Sequence, residues 1–149
     1  MNTEKVYIGK RYGVKRDIAD ECAVFIKNGS FRPLNHFYEL VLHSPDGFNW
    51  GFIGSSSAQL SFAILADCLG PNKVEKCPIC GYDFSKETID FKCFKCGQGL
   101  GIHYFFRVFN LYQIFMQKVI SKIPAYEDWE LNERDIIKIV KEIEENLKK

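Results

Sequence analysis

The sequence predicts a single α+β domain over residues 1–149, in which a small N-terminal antiparallel sheet packs with three helices and a cysteine-rich insertion occupies 74–99. Three observations predict it. Apolar residues alternate in short runs ahead of His43, they recur at helical spacing beyond Ser55, and four of the six cysteines fall in two close pairs between the first two helices.

The strands come first. Val6, Ile8 and Tyr12 alternate around Gly9, and Cys22, Val24 and Ile26 alternate in ECAVFIKNG. Asn28 and Gly29 both tolerate positive φ and mark a hairpin turn after the second run. A further extended segment is expected in FYELVLH, with Phe37, Glu39 and Val41 on one side and Tyr38, Leu40 and Leu42 on the other. Pro45, Asp46 and Gly47 then form a turn, and Trp50 and Phe52 supply apolar anchors.

The first helix is expected to start at Ser56. With Gln59 three residues on, Ser56 completes an S-x-x-Q capping box, in which each side chain satisfies a backbone N–H that the helix leaves free. Leu60, Ala63, Ile64 and Asp67 share one stripe and Phe62, Leu65 and Leu69 another, so the helix is apolar around most of its circumference; Gly70 and Pro71 end it. From His103 to Ile123, polar residues recur around a broad apolar remainder, which predicts a long central helix stopped by Pro124. Trp129 is placed to fill a gap in the core. Asn132, with Asp135 three residues on, caps a last helix whose apolar stripe is Ile136, Ile139, Val140, Ile143 and Leu147.

Composition narrows the function. Twenty Lys and Arg against 19 Asp and Glu leave a net charge of +1, so the chain as a whole has no long-range pull on polyanions. MNTEKVYIGKRYG lacks the apolar core of a signal peptide. The most apolar stretch, Tyr104 to Ile120, is interrupted by Arg107, Asn110, Gln113, Gln117 and Lys118, so neither export nor a membrane span is expected. A cytoplasmic location follows as the expectation, and it favours metal over disulfides for the paired cysteines.

CPICGYDFSKETIDFKCFKCG sets Cys77 and Cys80 as one C-x2-C pair and Cys93 and Cys96 as another, with twelve residues between. Two residues between thiolates let a tight turn aim both sulfurs at one point, and Gly81 and Gly97 relieve the backbone as it turns. Tyr82, Phe84, Ile89 and Phe91 read as strand residues around a turn at Ser85 to Glu87, the plan of a zinc ribbon. Four thiolates leave Zn²⁺ no open position, so the metal is expected to be structural. Iron in a rubredoxin-like knuckle, suggested by Cys-Pro-x-Cys-Gly, is the alternative metal, and disulfides or free thiols are the non-metal reading. Residues 73–97 carry five Lys against four acids, and a tetrathiolate zinc centre adds two negative charges, so the module does not attract phosphates. Tyr82, Phe91 and Phe94 offer either a protein contact or packing beneath the ribbon. Cys22 and Cys68 read as buried thiols.

Two other stretches carry polar chemistry. Lys10, Arg11, Tyr12, Lys15 and Arg16 form the densest cationic run, either a nucleic-acid contact or a hairpin edge guarded by charge. His43 and Asp46, followed by Ser55, Ser56 and Ser57 at a helix start, could hold an anion or ligand, or supply a base, its carboxylate and a nucleophile. A turn and helix start explain the same residues structurally. The stretch lacks the G-x-S-x-G, phosphate-loop and H-E-x-x-H patterns.

LVLHSPDGFNWGFIGSSSAQLSFAIL followed by LYQIFMQKVISKIPAYEDWELNERDI resembles a family of small uncharacterised bacterial and phage- or plasmid-borne proteins, a domain of unknown function. That family shows a His/Asn-Ser-Pro-x-Gly-Phe-x-Trp-Gly core, a Gly-Ser-Gly-Pro-Ala-Gln-Leu helix start and a later Trp-x-Leu. Here Ser56 and Ser57 stand at its Gly and Pro. The resemblance implies a common core over 40–69 and 111–137, a zinc ribbon inserted between two helices, and a mobile-element setting with no known activity. The reading that results is a cytoplasmic accessory protein of a phage, virus or plasmid that docks to a protein partner, with Zn²⁺ as a structural cofactor. Nucleic-acid binding through the basic hairpin, and an enzyme built on His43, Asp46 and Ser55, are the alternatives.

Overall fold

The structure is a computed structural model and describes residues 4–12, 21–45, 47–72, 74–83 and 91–149. Strands β1 (Val6–Tyr12), β2 (Glu21–Lys27) and β3 (Phe31–Pro33) are joined by β4 (Trp129–Asn132) in an antiparallel sheet of order β3-β2-β1-β4. Tyr7 pairs with Ile26 and with Leu131, and Gly9 with Val24 and Trp129, so these residues line up on one face. That face is the core side: Tyr7 and Ile26 are fully buried, and Val24 and Trp129 nearly so. Gly9 is required there, because a Cβ would overlap the Trp129 indole.

Helix α1 (Ser55–Leu69) is the centre of the molecule, with every residue from Ser57 to Ala66 buried. α2 (Gly101–Tyr104) is a single turn, α3 (Phe106–Lys118) packs on α1, and α4 (Glu133–Leu147) lays Ile136, Val140 and Ile143 into the core. The α+β class holds, with three long α-helices and one short α-helical turn among the described residues. No helix among the described residues is long and apolar enough to cross a membrane.

Four expectations change. FYELVLH is not a strand: Phe37 adopts φ 59°, and the N–H groups of Leu40 and Val41 both turn back to its carbonyl. The single helix expected over His103–Ile123 breaks at Phe105 (φ −123°, ψ 29°) and again at Val119, before a 3-10 turn at Ile120–Lys122. At the first break two adjacent aromatic residues, Tyr104 and Phe105, are both buried. α1 begins at Ser55 with Gly54 as its N-cap, two residues ahead of the expected Ser56 cap, and without a side-chain cap, so the Ser56–Gln59 box does not form. Trp129 does fill the core, but from a strand that the sequence did not announce. By contrast, the Oδ1 of Asn132 accepts from the Asp135 N–H as expected, and Gly70 (φ 71°) closes α1.

Candidate metal centre

The sulfurs of Cys77, Cys80, Cys93 and Cys96 all lie within 4.8 Å of one another. Cys77 and Cys96 sulfurs are 3.8 Å apart and those of Cys80 and Cys93 3.5 Å. A tetrahedron with Zn–S bonds near 2.3 Å has an edge of about 3.8 Å, so the donor set fits a divalent ion in four-coordinate geometry. All six cysteines are free thiols.

The two halves of the centre are built alike. Cys77 N–H donates to Tyr82 O and Cys93 N–H to Gln98 O, while Gly81 and Gly97 return N–H groups to the carbonyls of Cys77 and Cys93. Each glycine sits at positive φ, 80° and 74°, the turn that points both sulfurs of a pair the same way. Backbone N–H groups of Ile79 and Cys80 reach the Cys77 sulfur, and that of Cys96 the Cys93 sulfur, each at 3.4 Å. Such donors stabilise thiolate over thiol. For Cys93, burial raises the thiol, but the N–H groups of Cys96 and Lys95 and the adjacent thiols outweigh it and bring it down to about 6. At Cys96 the Gln98 N–H pulls downward and is outweighed by burial and the neighbouring thiols, which push it up to about 12. Short bridges at Lys76–Asp83 and Lys92–Gly99 hold the pairs. A metal here would tie chain segments together; with four thiolate ligands it offers no open site for catalysis.

The module has an inner and an outer side. Cys77 and Cys93 are buried, whereas Cys80 and Cys96 are exposed. Phe91 anchors it inward, its ring 5.1 Å from both Tyr104 and Phe105. At the outer tips Ile79 and Phe94 are 58% and 70% exposed, and Tyr82 is 40% exposed, so of the three ribbon aromatics singled out in the sequence only Phe91 packs inward. The expected turn at Ser85 to Glu87, with Phe84 and Ile89, lies outside the described residues.

The cationic run is divided. Arg11 turns inward: its guanidinium lies 4.4 Å from the Trp50 ring centre and donates to Asn49 Oδ1 (2.6 Å) and the Cys22 sulfur (2.9 Å). Lys10 pairs with Asp128 at 3.6 Å, and Tyr12 is half exposed. Lys15 and Arg16 lie outside the described residues. His43 Nε2 is hydrogen-bonded to the Tyr112 hydroxyl at 2.7 Å. Ser55 is exposed, Ser56 half-buried, and Ser57 fully buried with its hydroxyl unpartnered. No hydrogen bond joins His43 to these serines among the described residues, and Asp46 lies outside them.

Two polar centres escaped the sequence reading. Gln59, fully buried, accepts from the N–H groups of His43 and Ser44 (2.7 and 3.2 Å) and donates to His36 O and Val41 O (2.8 and 2.9 Å). Asp67 on α1 accepts from Tyr7 Oη (2.7 Å) and Lys5 Nζ (3.1 Å), with Arg32 at 3.6 Å, riveting helix to sheet. Burial, and then the bond to Asp67, push the Tyr7 phenol above its ordinary value. The signal was an aspartate inside an apolar stripe, which calls for a partner.

Compared with known families, the chain matches a family of unknown function (DUF6166) over residues 7–85. The chain belongs to this family. No curated protein and no solved structure matches it. The family segment carries β1 to β3, α1, Gln59, Asp67 and the first cysteine pair, while the second pair, α3, β4 and α4 lie beyond it.

Proposed function

We propose that this family member is a protein-interaction module braced by one structural Zn²⁺ on Cys77, Cys80, Cys93 and Cys96. The observation that carries the reading is the two-sided build of the metal module, which buries Cys77 and Cys93 and exposes Ile79 and Phe94 at its outer tips. Exposed apolar residues on a rigid tip suit docking to another protein, because little side-chain freedom is lost on binding. The free thiols fit a reducing, cytoplasmic setting. In this reading, suggested by the resemblance noted in the sequence, the protein is an accessory protein of a phage, virus or plasmid acting on a host or element-encoded partner. The inward turn of Arg11 and the Lys10–Asp128 pair weigh against the nucleic-acid alternative. Elemental analysis tests the brace: one zinc per chain in wild type and none in Cys93→Ser. Affinity capture from the native host tests the docking, with one partner recovered by wild type and lost from an Ile79→Ser/Phe94→Ser variant that keeps its zinc. Zinc-free wild type, or a partner indifferent to that variant, refutes the respective half.

A further inference from the structure

A cleft of about 600 Å³ opens where the metal module meets the family core. Its size falls in the range of pockets that hold small ligands or short peptide ends. Leu40, Phe91 and Ile102 give it apolar wall, and Glu39, Lys92 and His103 give it three polar side chains. Among the described residues none of those three side chains has a hydrogen-bond or ion-pair partner, although the neighbouring Lys76 and Asp83 backbones and the Arg107 and Glu144 side chains are paired.

The backbone around the cleft is unusual too. Phe91 lines it at φ 50°, and Phe37, three residues before Leu40, holds φ 59°. Bulky residues seldom adopt this conformation, and such strain collects at ligand clamps. Gly99 also lines the cleft, and a Cβ built on it would meet nothing within 4 Å. Its φ is not positive, so nothing in its backbone demands glycine. The missing side chain leaves room for another main chain to come close.

Resting on the protein-interaction reading above, we propose that this cleft binds the C-terminal end of a partner polypeptide, with a bulky apolar side chain against Leu40, Phe91 and Ile102. Two of the three unpaired polar side chains, Lys92 and His103, can donate, which suits a terminal carboxylate. Glu39 accepts, which suits a main-chain N–H.

The probe is N-acetyl-Leu-Phe with a free carboxylate, compared with its C-terminal amide, titrated into the full zinc-loaded chain and followed by amide chemical shifts. The expected result is perturbation centred on residues 99–103, at least tenfold weaker for the amide. Gly99→Leu, which fills open space, should keep the zinc and the melting temperature and lose the binding. Absence of perturbation at millimolar peptide, equal binding of acid and amide, or unchanged binding by Gly99→Leu overturns the proposal. The outer-tip variant Ile79→Ser/Phe94→Ser leaves this cleft intact, so capture of a partner lost only with that variant would uphold the docking reading while the cleft fails.

Discussion

Gln59 is the residue on which the two accounts of the loop before α1 diverge most. As half of a capping box, Gln59 and Ser56 would be worth about 1 kcal/mol each, and removing either would cost the same. In the structure Ser56 caps nothing, whereas Gln59 holds four backbone groups from a loop with little regular structure of its own. Gln59→Leu keeps the volume near constant, so the loss isolates those hydrogen bonds rather than a cavity. Each stranded buried group costs about 1–3 kcal/mol. Ser44 is buried, while His36, Val41 and His43 are half-buried and regain some water, so the low end applies to them. Their sum of about 4 kcal/mol, less about 1 kcal/mol for no longer desolvating the amide, leaves about 3 kcal/mol. For a chain of this length that is a fall in Tm of about 6–12 °C, against less than about 2 °C for Ser56→Ala. Thermal melts of the two variants in zinc-containing buffer decide it. A Gln59→Leu protein that melts with the wild type, or a Ser56→Ala protein that loses as much as Gln59→Leu, refutes the reasoning.

Metal exchange with a strong chelator should strip amide-exchange protection from residues 91–99 while largely sparing α1, α3 and α4, whose mutual packing does not pass through the module; uniform loss would show the metal to be integral to the whole core. Arg11→Ala should cost about 2 kcal/mol, from the Trp50 stack and two hydrogen bonds, whereas Lys10→Ala should stay within about 0.5 kcal/mol. Similar small costs at both positions in denaturant titrations would return Arg11 to the surface. Hydrogen bonding from Arg107 holds the Glu144 carboxyl below its ordinary value. The pair therefore adds stability that is complete above about pH 5 and fades as pH falls below the ordinary Glu value of about 4.3 toward the lowered one. Both side chains are about a third exposed, so the effect is about 1 kcal/mol or less, and Glu144→Gln should remove it from an acid titration of stability.

The sequence was most legible where one local rule acts alone. Alternation at Val24 and Ile26 marked the core face of β2, the Asn132–Asp135 spacing gave the α4 cap, and the cysteine spacing gave the four-sulfur set, because each is decided within a few residues; in β1 the same alternation pointed to Val6 and Ile8, whereas Tyr7 and Gly9 take the core face. It was least legible where distant chain sets the outcome. FYELVLH has strand composition, yet the amide of Gln59 takes the His36 and Val41 carbonyls and bends the segment. WELN is too short to stand out, and becomes β4 only because β1 offers an open edge and Gly9 makes room for the Trp129 indole. Arg11 reads as one cation in a run, and nothing local says that Trp50, almost forty residues away, will take its guanidinium.

The same distinction bears on what unit of chain can act. The family match ends at residue 85, after Cys77 and Cys80 but before Cys93 and Cys96, so the matched stretch holds half of a four-thiolate site. It also holds α1 without α3, and β1 without β4. A helix buried along ten consecutive residues cannot stand with one side stripped, because Phe62, whose ring meets Phe109 and Tyr112 of α3, would be returned to water at about 1.5–3 kcal/mol. Phe91 and Phe105 complete the join, meeting at 5.1 Å, with Phe37 of the family segment 6.2 Å from Phe105. The last two long helices are thus parts of the core that the family segment requires, while the metal module rests on that core through Phe91, which holds the surface it displays against Tyr104 and Phe105.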